Sequence, residues 1–517
     1  MASVASWEQT AGRKREALLA SIPPAWRVPA HLLPPESQDS VVDWPETSGW
    51  LTADELAVTG LPASELVAKL ASGGLKSEAV TAAFCKRAAA AHQLTNCLSE
   101  TCFHRAMATA RARDEHLGRT GQPVGPLHGL PISLKDSFLL RGLDATLGFA
   151  SHVGDAAESD SALAELLEGA GAVLYVKTNV STAMMIGESV NNVFGRTVNP
   201  RNRQTTSGGS SGGESALIAL GGSPLGVGTD IGGSLRIPAA CTGIFALRPS
   251  VGRFPVRATR SGLPGQEAVH SVNGPMSGTL RDLELYCRAV VGQRPWLRDP
   301  RCLPFPWRPV ELAQRLRIAV MWHDGMVRPT PPVSRALGEV VAKLGLAGHD
   351  IVDWDPVDQK HGLALLGRMF VADGGIAIRR EVERTGEPWR PELQAFRDAK
   401  ELGPAIDAIL CPTMAFNTVR NGAFRHVGYT GVFNVLDYSC LSFVTGVAAD
   451  KNIDTPDAAH QPLGPECKAI HQEYDADLVH GLPVSLQLVG RRLEEEKVLA
   501  MGQRVLQALS LGGTGQV

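Results

Sequence analysis

From about residue 127 onward, short apolar runs of strand length alternate with longer stretches whose apolar residues recur at helical spacing. That alternation confines the chain to an α/β architecture, because strands that take turns with helices build one sheet covered by helices. Strands are expected at 130–134, 172–176, 224–228, 316–321, 349–354, 408–410 and 483–489. Helices are expected at 161–170, from a cap at Ser277 to about Val291, at 333–346, and from Glu494 onward. The first part of the chain has a different texture. Residues 5–22 read as a polar helix, and a proline-rich connector runs from Pro23 to Pro45. Thr52-Ala-Asp-Glu55 is a capping box opening a short helix. Helical periodicity returns at 64–72 and 77–91.

Composition excludes several function classes. With 44% hydrophobic and 20% charged residues among 517, the chain is globular rather than disordered. A net charge of −3 offers no basic surface for nucleic acid or an anionic membrane. No apolar stretch of transmembrane length occurs, and residues 1–20 carry too many charges for a secretory leader. A soluble, cytoplasmic protein is the expectation. Nine cysteines are scattered without a CxxC pair, which argues against a disulfide framework or a zinc site and for buried free thiols. Neither HExxH, HxxEH nor a paired Cys/His pattern is present, so no metal and no organic cofactor is expected.

Residues 207–236 read SGGSSGGESALIALGGSPLGVGTDIGGSLR. Ten of these thirty are glycine and six are serine, as in a linker. A linker, however, has no reason to contain an apolar helical run and a strand, which 216–220 and 224–227 supply. The glycines are better read as tight turns around a site, where backbone N–H groups approach a ligand. A phosphate-binding loop is one reading, but no lysine follows the glycines. A nucleophile elbow is another, since Gly208-Gly-Ser210-Ser-Gly212 fits GxSxG. It requires a later histidine, and His480 is a candidate that nothing singles out.

A third reading joins this block to a remote lysine. GGSSGGESALIA, GTDIGGSLR followed by Ile237-Pro-Ala, the upstream Lys177-Thr-Asn-Val, and Gly129-Leu-Pro-Ile-Ser-Leu-Lys135-Asp resemble the amidase signature family. The spacing agrees, with 75 residues from Lys135 to Ser210 and 24 more to Ser234. The resemblance spans about 60 to 505 and has the texture of fungal acetamidase-like amidases. Tyr429-Thr-Gly, Asn434-Val-Leu-Asp-Tyr438 and the run from Gly481 to Gly490 carry that last impression. It implies a mixed β-sheet core flanked by helices on both faces, in a single domain over 61–510. A helical arm over 1–60 and a flexible tail over 511–517 complete the expected organisation.

The resemblance also implies roles. Ser234 is the expected nucleophile, following Gly232-Gly233, with backbone N–H groups of Ile231, Gly232, Gly233 and Ser234 as an oxyanion hole. Each such donor contributes about 3 kcal/mol to transition-state binding. Lys135 is the expected base, which demands that burial lower its pKa from about 10.4. Ser210 is the expected relay, held by a cis Gly209–Ser210 bond, with Ser211 hydrogen-bonded to Lys135. Asp230 and Arg236 are expected to form an ion pair that fixes the loop. Met184 stands where the family presents a backbone carbonyl to the substrate amide. His128 is read as structural. The expected reaction is hydrolysis of a small-molecule carboxamide through an acyl-enzyme.

Two departures stand out. Only fourteen residues, 392–405, lie where fungal relatives place a long helical segment, and its loss threatens part of a pocket wall or a dimer surface. Cys440-Leu441 replaces a common Pro-Ala. The alternatives are a catalytically impaired amidase-fold protein and a glutaminase-type amidotransferase subunit. Homodimerisation stays open.

Overall fold

The computed structural model describes residues 6–266, 269–370, 376–389, 407–457 and 459–510. Its centre is an eleven-stranded mixed sheet. In chain order the strands are β1 (Leu98–Thr101), β2 (Pro131–Lys135), β3 (Val173–Thr178), β4 (Leu225–Asp230), β5 (Phe245–Arg248) and β6 (Val272–Ser277). They continue with β7 (Arg317–Val320), β8 (Asp350–Asp353), β9 (Ala408–Pro412), β10 (Cys440–Ala448) and β11 (Pro483–Val489). Across the sheet the order is β1-β3-β2-β4-β6-β5-β10-β11-β9-β7-β8. β2 runs parallel to both β3 and β4, and β7 runs parallel to β8 and β9, whereas the middle strands pair antiparallel.

Side chains alternate across a strand, and β10 shows what each face carries. Leu441 and Phe443 join the cluster containing Val498, Leu499 and Met501 of the closing helix, Glu495–Ser510. Their neighbour Cys440 joins the cluster of Ile237, Ala240 and Cys241 from helix Arg236–Thr242. The sheet is therefore covered on both faces, which is why β2, β3 and β4 are buried at every position. Cys440 and Leu441 pair with Arg248 and Leu247 on one side and with Val489 and Leu488 on the other, so the unusual dipeptide is part of the sheet core.

The first helix, Trp7–Ser21, opens with a reciprocal capping box between Ser6 and Gln9. It is tied to the body by Lys14, which contacts Glu100 and reaches Asp144 at 2.7 Å. Leu18 packs with Ala150, Val193 and Phe194. Thr52 and Glu55 form the expected second capping box. One expectation fails: Ser277 does not cap a helix. It ends β6, and its hydroxyl bonds the Pro224 carbonyl at 2.9 Å. Thr279 caps helix Leu280–Gly292 instead, accepting from Asp282 N–H. The short segment 392–405 lies outside the described residues, as do 1–5 and 511–517. Among the described residues no helix is long and apolar enough to cross a membrane.

Candidate active site

The parallel pair β2 and β4 sets the site. Ser133 pairs with Gly226 and Leu134 with Val227, so the C-terminal ends of both strands, Lys135 and Thr229-Asp230, emerge together. In α/β sheets, ligands gather at the carboxyl ends of parallel strands. Two loops meet at this edge. One carries Ser210 and leads into helix Gly212–Ala219, and the other carries Ser234 and leads into helix Arg236–Thr242. The glycines admit this crowding. A Cβ on Gly213 would lie 2.4 Å from Asn179 N, and one on Gly233 would lie 2.5 Å from Thr430 Oγ1. Gly233 also has φ +123°, a conformation open chiefly to glycine.

Lys135 is fully buried. Its Nζ lies 2.8 Å from Ser210 Oγ and 2.7 Å from Thr229 Oγ1. Burial pushes its pKa down to about 7, against the pull of Asp230, Glu214 and Asp136. Ser210 follows a cis Gly209–Ser210 bond, and Ser189 Oγ donates to its carbonyl at 3.2 Å. Ser211 differs from expectation. Its hydroxyl is directed at the Thr229 carbonyl, 3.4 Å away, and it makes no bond to Lys135. Thr229 holds that place, and sequence reasoning did not mark it.

Behind Lys135 sits Glu214, also fully buried. It accepts from Ser133 Oγ, and from Thr178 Oγ1 at 2.6 Å. Burial pushes its carboxyl up to about 7, opposed by these two hydroxyls and by Lys135. Asp136 is held by Ser99 Oγ at 2.7 Å and Leu147 N–H at 2.8 Å.

Asp230 and Arg236 form a fully buried bidentate pair, with both contacts at 3.1 Å. Burial alone would raise the Asp230 carboxyl. The Arg236 guanidinium, its hydrogen bonds, Arg248 and Asn434 together hold it well below the usual carboxylate range. Arg236 also reaches Asn434 Oδ1 at 2.6 Å and Gln487 Oε1 at 3.1 Å. The late motifs around Asn434 and Gln487 thus converge on the loop that carries Ser234. Removing one partner of a buried pair leaves an uncompensated charge. Arg236→Met is therefore expected to cost about 3–5 kcal/mol of unfolding free energy, read from the urea midpoint. A midpoint within error of the parent would refute the role of this pair.

Asp230 also claims a backbone donor. Gly233 N–H donates to Asp230 Oδ1 at 2.9 Å, so it is not free for an oxyanion. Ile231, Gly232 and Ser234 N–H make no hydrogen bond among the described residues. Ser210, Ser234, Thr229 and Ile231 line one small cavity, walled by Ala183, Met184, Met185, Ser261, Gly262, Leu263 and Ser271. Met184 is among the lining residues, at φ +59°. His480 is absent from it: its ring is 46% exposed and lies 3.9 Å from Asp450. His128 is buried, and its Nδ1 accepts from Val124 N–H at 3.1 Å.

The family model described as Amidase matches residues 79–400 and 382–499. Acetamidases of Emericella nidulans and Aspergillus oryzae are each 41% identical, over 97% of this chain and 98% of theirs. A solved structure described as fatty acid amide hydrolase superposes with a TM-score of 0.91 at 34% identity, covering 97% of this chain and 94% of that one. A bacterial aryl acylamidase shares the fold at a TM-score of 0.67 and 22% identity, over 88% of this chain and 99% of that one. With Ser210 and Ser234 lining one cavity and Lys135 bonded to Ser210, and with these relatives matching nearly the whole chain, the chain belongs to the amidase signature family and is an amide hydrolase.

Proposed function

We propose that the chain hydrolyses a carboxamide to a carboxylic acid and ammonia or an amine, through an acyl-enzyme on Ser234 with Ser210 as relay and Lys135 as base. The observation that carries this reading is the 2.8 Å contact between a fully buried Lys135 Nζ and Ser210 Oγ in the cavity Ser234 lines. A lysine near neutrality can accept a proton at physiological pH, which a solvated lysine cannot. Ser234 attacks the carbonyl, its proton passing to Ser210 and from Ser210 to Lys135. The free N–H groups of Ile231, Gly232 and Ser234 are the donors offered to the oxyanion. The proton then returns through Ser210 to the leaving nitrogen. Water repeats the relay to release the acid.

Thr229 belongs in this account as a positioning residue. Its hydroxyl, 2.7 Å from Lys135 Nζ, favours the protonated lysine by offering an acceptor. Thr229→Val should therefore shift the acidic limb of kcat/KM to lower pH and reduce the plateau about tenfold, the worth of one hydrogen bond to a charged group. Thr229→Ser should restore both. An unshifted limb in the valine variant would remove Thr229 from the account.

Among the described residues, every one that lines the cavity is uncharged. Burying a charged substrate group there without a partner is costly, so uncharged amides are expected to be preferred over carboxylate-bearing ones of equal size. Release of ammonia by the purified chain, without ATP or a partner, tests the reaction itself. It also separates hydrolysis from an amidotransferase subunit or an inert scaffold. Activity should survive EDTA, because the relay uses no metal.

A further inference from the structure

We propose that His460, Cys467 and His471 form a binding site for one zinc-class cation, separate from the serine–lysine centre. Nitrogen and sulfur atoms of the three residues lie within 4.8 Å of one another. None of the three lines the cavity around Ser234. The pattern escapes a search for CxxC because two ligands come from a helix and the third from the loop before it. Cys467 and His471 are four apart on helix Pro465–Gln472, which places them on one face one turn apart. His460 comes back to that face from the preceding loop.

In the unloaded arrangement the sulfur–nitrogen separation is already of the size an ion needs. Cys467 Sγ stands 3.6 Å from His460 Nε2. That is the separation of a sulfur and a nitrogen held at about 2.3 and 2.0 Å by one tetrahedral ion. The second ring is already oriented. His471 Nε2 lies 2.9 Å from the Arg328 carbonyl. A carbonyl only accepts, so Nε2 carries the proton and Nδ1 is left with the lone pair. Metal-binding histidines commonly have their other ring nitrogen fixed in this way.

The His460 and His471 rings are stacked, with centroids 3.6 Å apart and planes at 11°. Parallel rings do not aim both lone pairs at one point, so loading requires the His460 ring to turn. It is only partly buried and sits outside any helix or strand, which permits that turn. Cys467 is fully buried, and with Ile470 it packs in the cluster that holds Tyr429 and Phe433. An ion on this trio ties His460, in the preceding loop, to helix Pro465–Gln472. Binding to the folded chain alone raises stability by mass action.

The test uses the full chain, stripped with a chelator and titrated with Co²⁺. The expected result is a near-ultraviolet thiolate-to-cobalt band that saturates at one ion per chain and is displaced by Zn²⁺, together with a Zn²⁺-dependent rise in Tm. Cys467→Ser should abolish the band. His460→Ala and His471→Ala should each weaken binding at least about tenfold. No band in the parent chain overturns the proposal, as does a band that survives in Cys467→Ser. If Cys467→Ser does not fold, the two histidine variants decide. Unchanged affinity in both overturns the site.

Discussion

Replacing Ser234 by alanine is expected to abolish amide hydrolysis and to leave the fold intact. The side chain is 9% exposed at the cavity wall and holds no hydrogen bond among the described residues, so its loss breaks no contact. The backbone around it is fixed independently. Gly233 N–H and Leu235 N–H both bond Asp230, and Thr430 Oγ1 donates to the Gly232 carbonyl at 2.9 Å. A small side chain in place of another small one should therefore shift Tm by no more than a surface substitution does, within about 0.5 kcal/mol of the parent. The chemistry has no substitute nucleophile. Ser210 shares the cavity, but its oxygen is occupied by Lys135, and acting as nucleophile would remove the relay. Turnover is expected to fall by about 10⁶-fold, the scale seen when a serine hydrolase loses its nucleophile. Covalent labelling by a fluorophosphonate should vanish with it. Hydrolysis within tenfold of the parent, or labelling that persists, would show that Ser234 is not the acylated residue.

The site was more legible in the sequence than the sheet that holds it. Lys135, Ser210 and Ser234 could be singled out because their motifs fix both residue type and spacing; in the folded chain Ser210 and Ser234 line one cavity and Lys135 bonds Ser210. The missing pieces share a physical cause. Thr229 supplies a hydroxyl that any Ser or Thr near Lys135 could have supplied, and Ser211 was an equal candidate on paper. Only the register of β4 against β2 decides between them. Gly233 was counted as an oxyanion donor because it precedes Ser234. Its N–H is taken because Asp230, three residues earlier, folds back on it at 2.9 Å. Asn434 and Gln487 lie more than 190 residues from Arg236, which they bond, and no local pattern reports such a contact.

Among the elements, β1, β5, β6 and β10 went unread, as did helix Phe103–Thr120. That helix buries only Phe103, Ala106 and Ala110, and its charged residues outnumber its large apolar ones, so its apolar stripe is faint. β6 contains Asn273, Gly274 and Pro275 in the middle of the sheet, residues that normally argue against a strand. Gly274 is needed there: a Cβ would lie 2.2 Å from the Leu247 carbonyl. Asn273 donates to the Pro255 carbonyl. Tertiary packing overrode local preference at these positions.

Lys135 gives the largest effect that depends on pH. With its pKa pushed down to about 7 by burial, the acidic limb of kcat/KM is expected close to pH 7, as an apparent value of the Lys135–Ser210 unit. Lys135→Ala should lower activity by about 10²–10⁴-fold and erase the limb. Lys135→Arg should do no better, since a guanidinium stays protonated. His480→Ala should leave the limb in place. The same shift has a stability signature. Between about pH 7 and 10.5 the unfolded chain holds a proton on Lys135 that the folded chain has released. Folding is therefore favoured as pH rises through this window, and the burial cost is fully present below about pH 7. That cost is on the order of 4 kcal/mol for a fully buried lysine moved this far. Lys135→Met removes it, so the variant's stability relative to the parent should be greatest near pH 6 and decline toward pH 10. The charges of Asp230, Glu214 and Asp136 oppose the gain, since each stabilises the cation that methionine lacks. The slope against pH therefore tests the lysine more cleanly than the absolute difference. A stability difference that is flat from pH 6 to 10, with a working Lys135→Arg enzyme, would mean that Lys135 is charged in the resting state and that another group is the base.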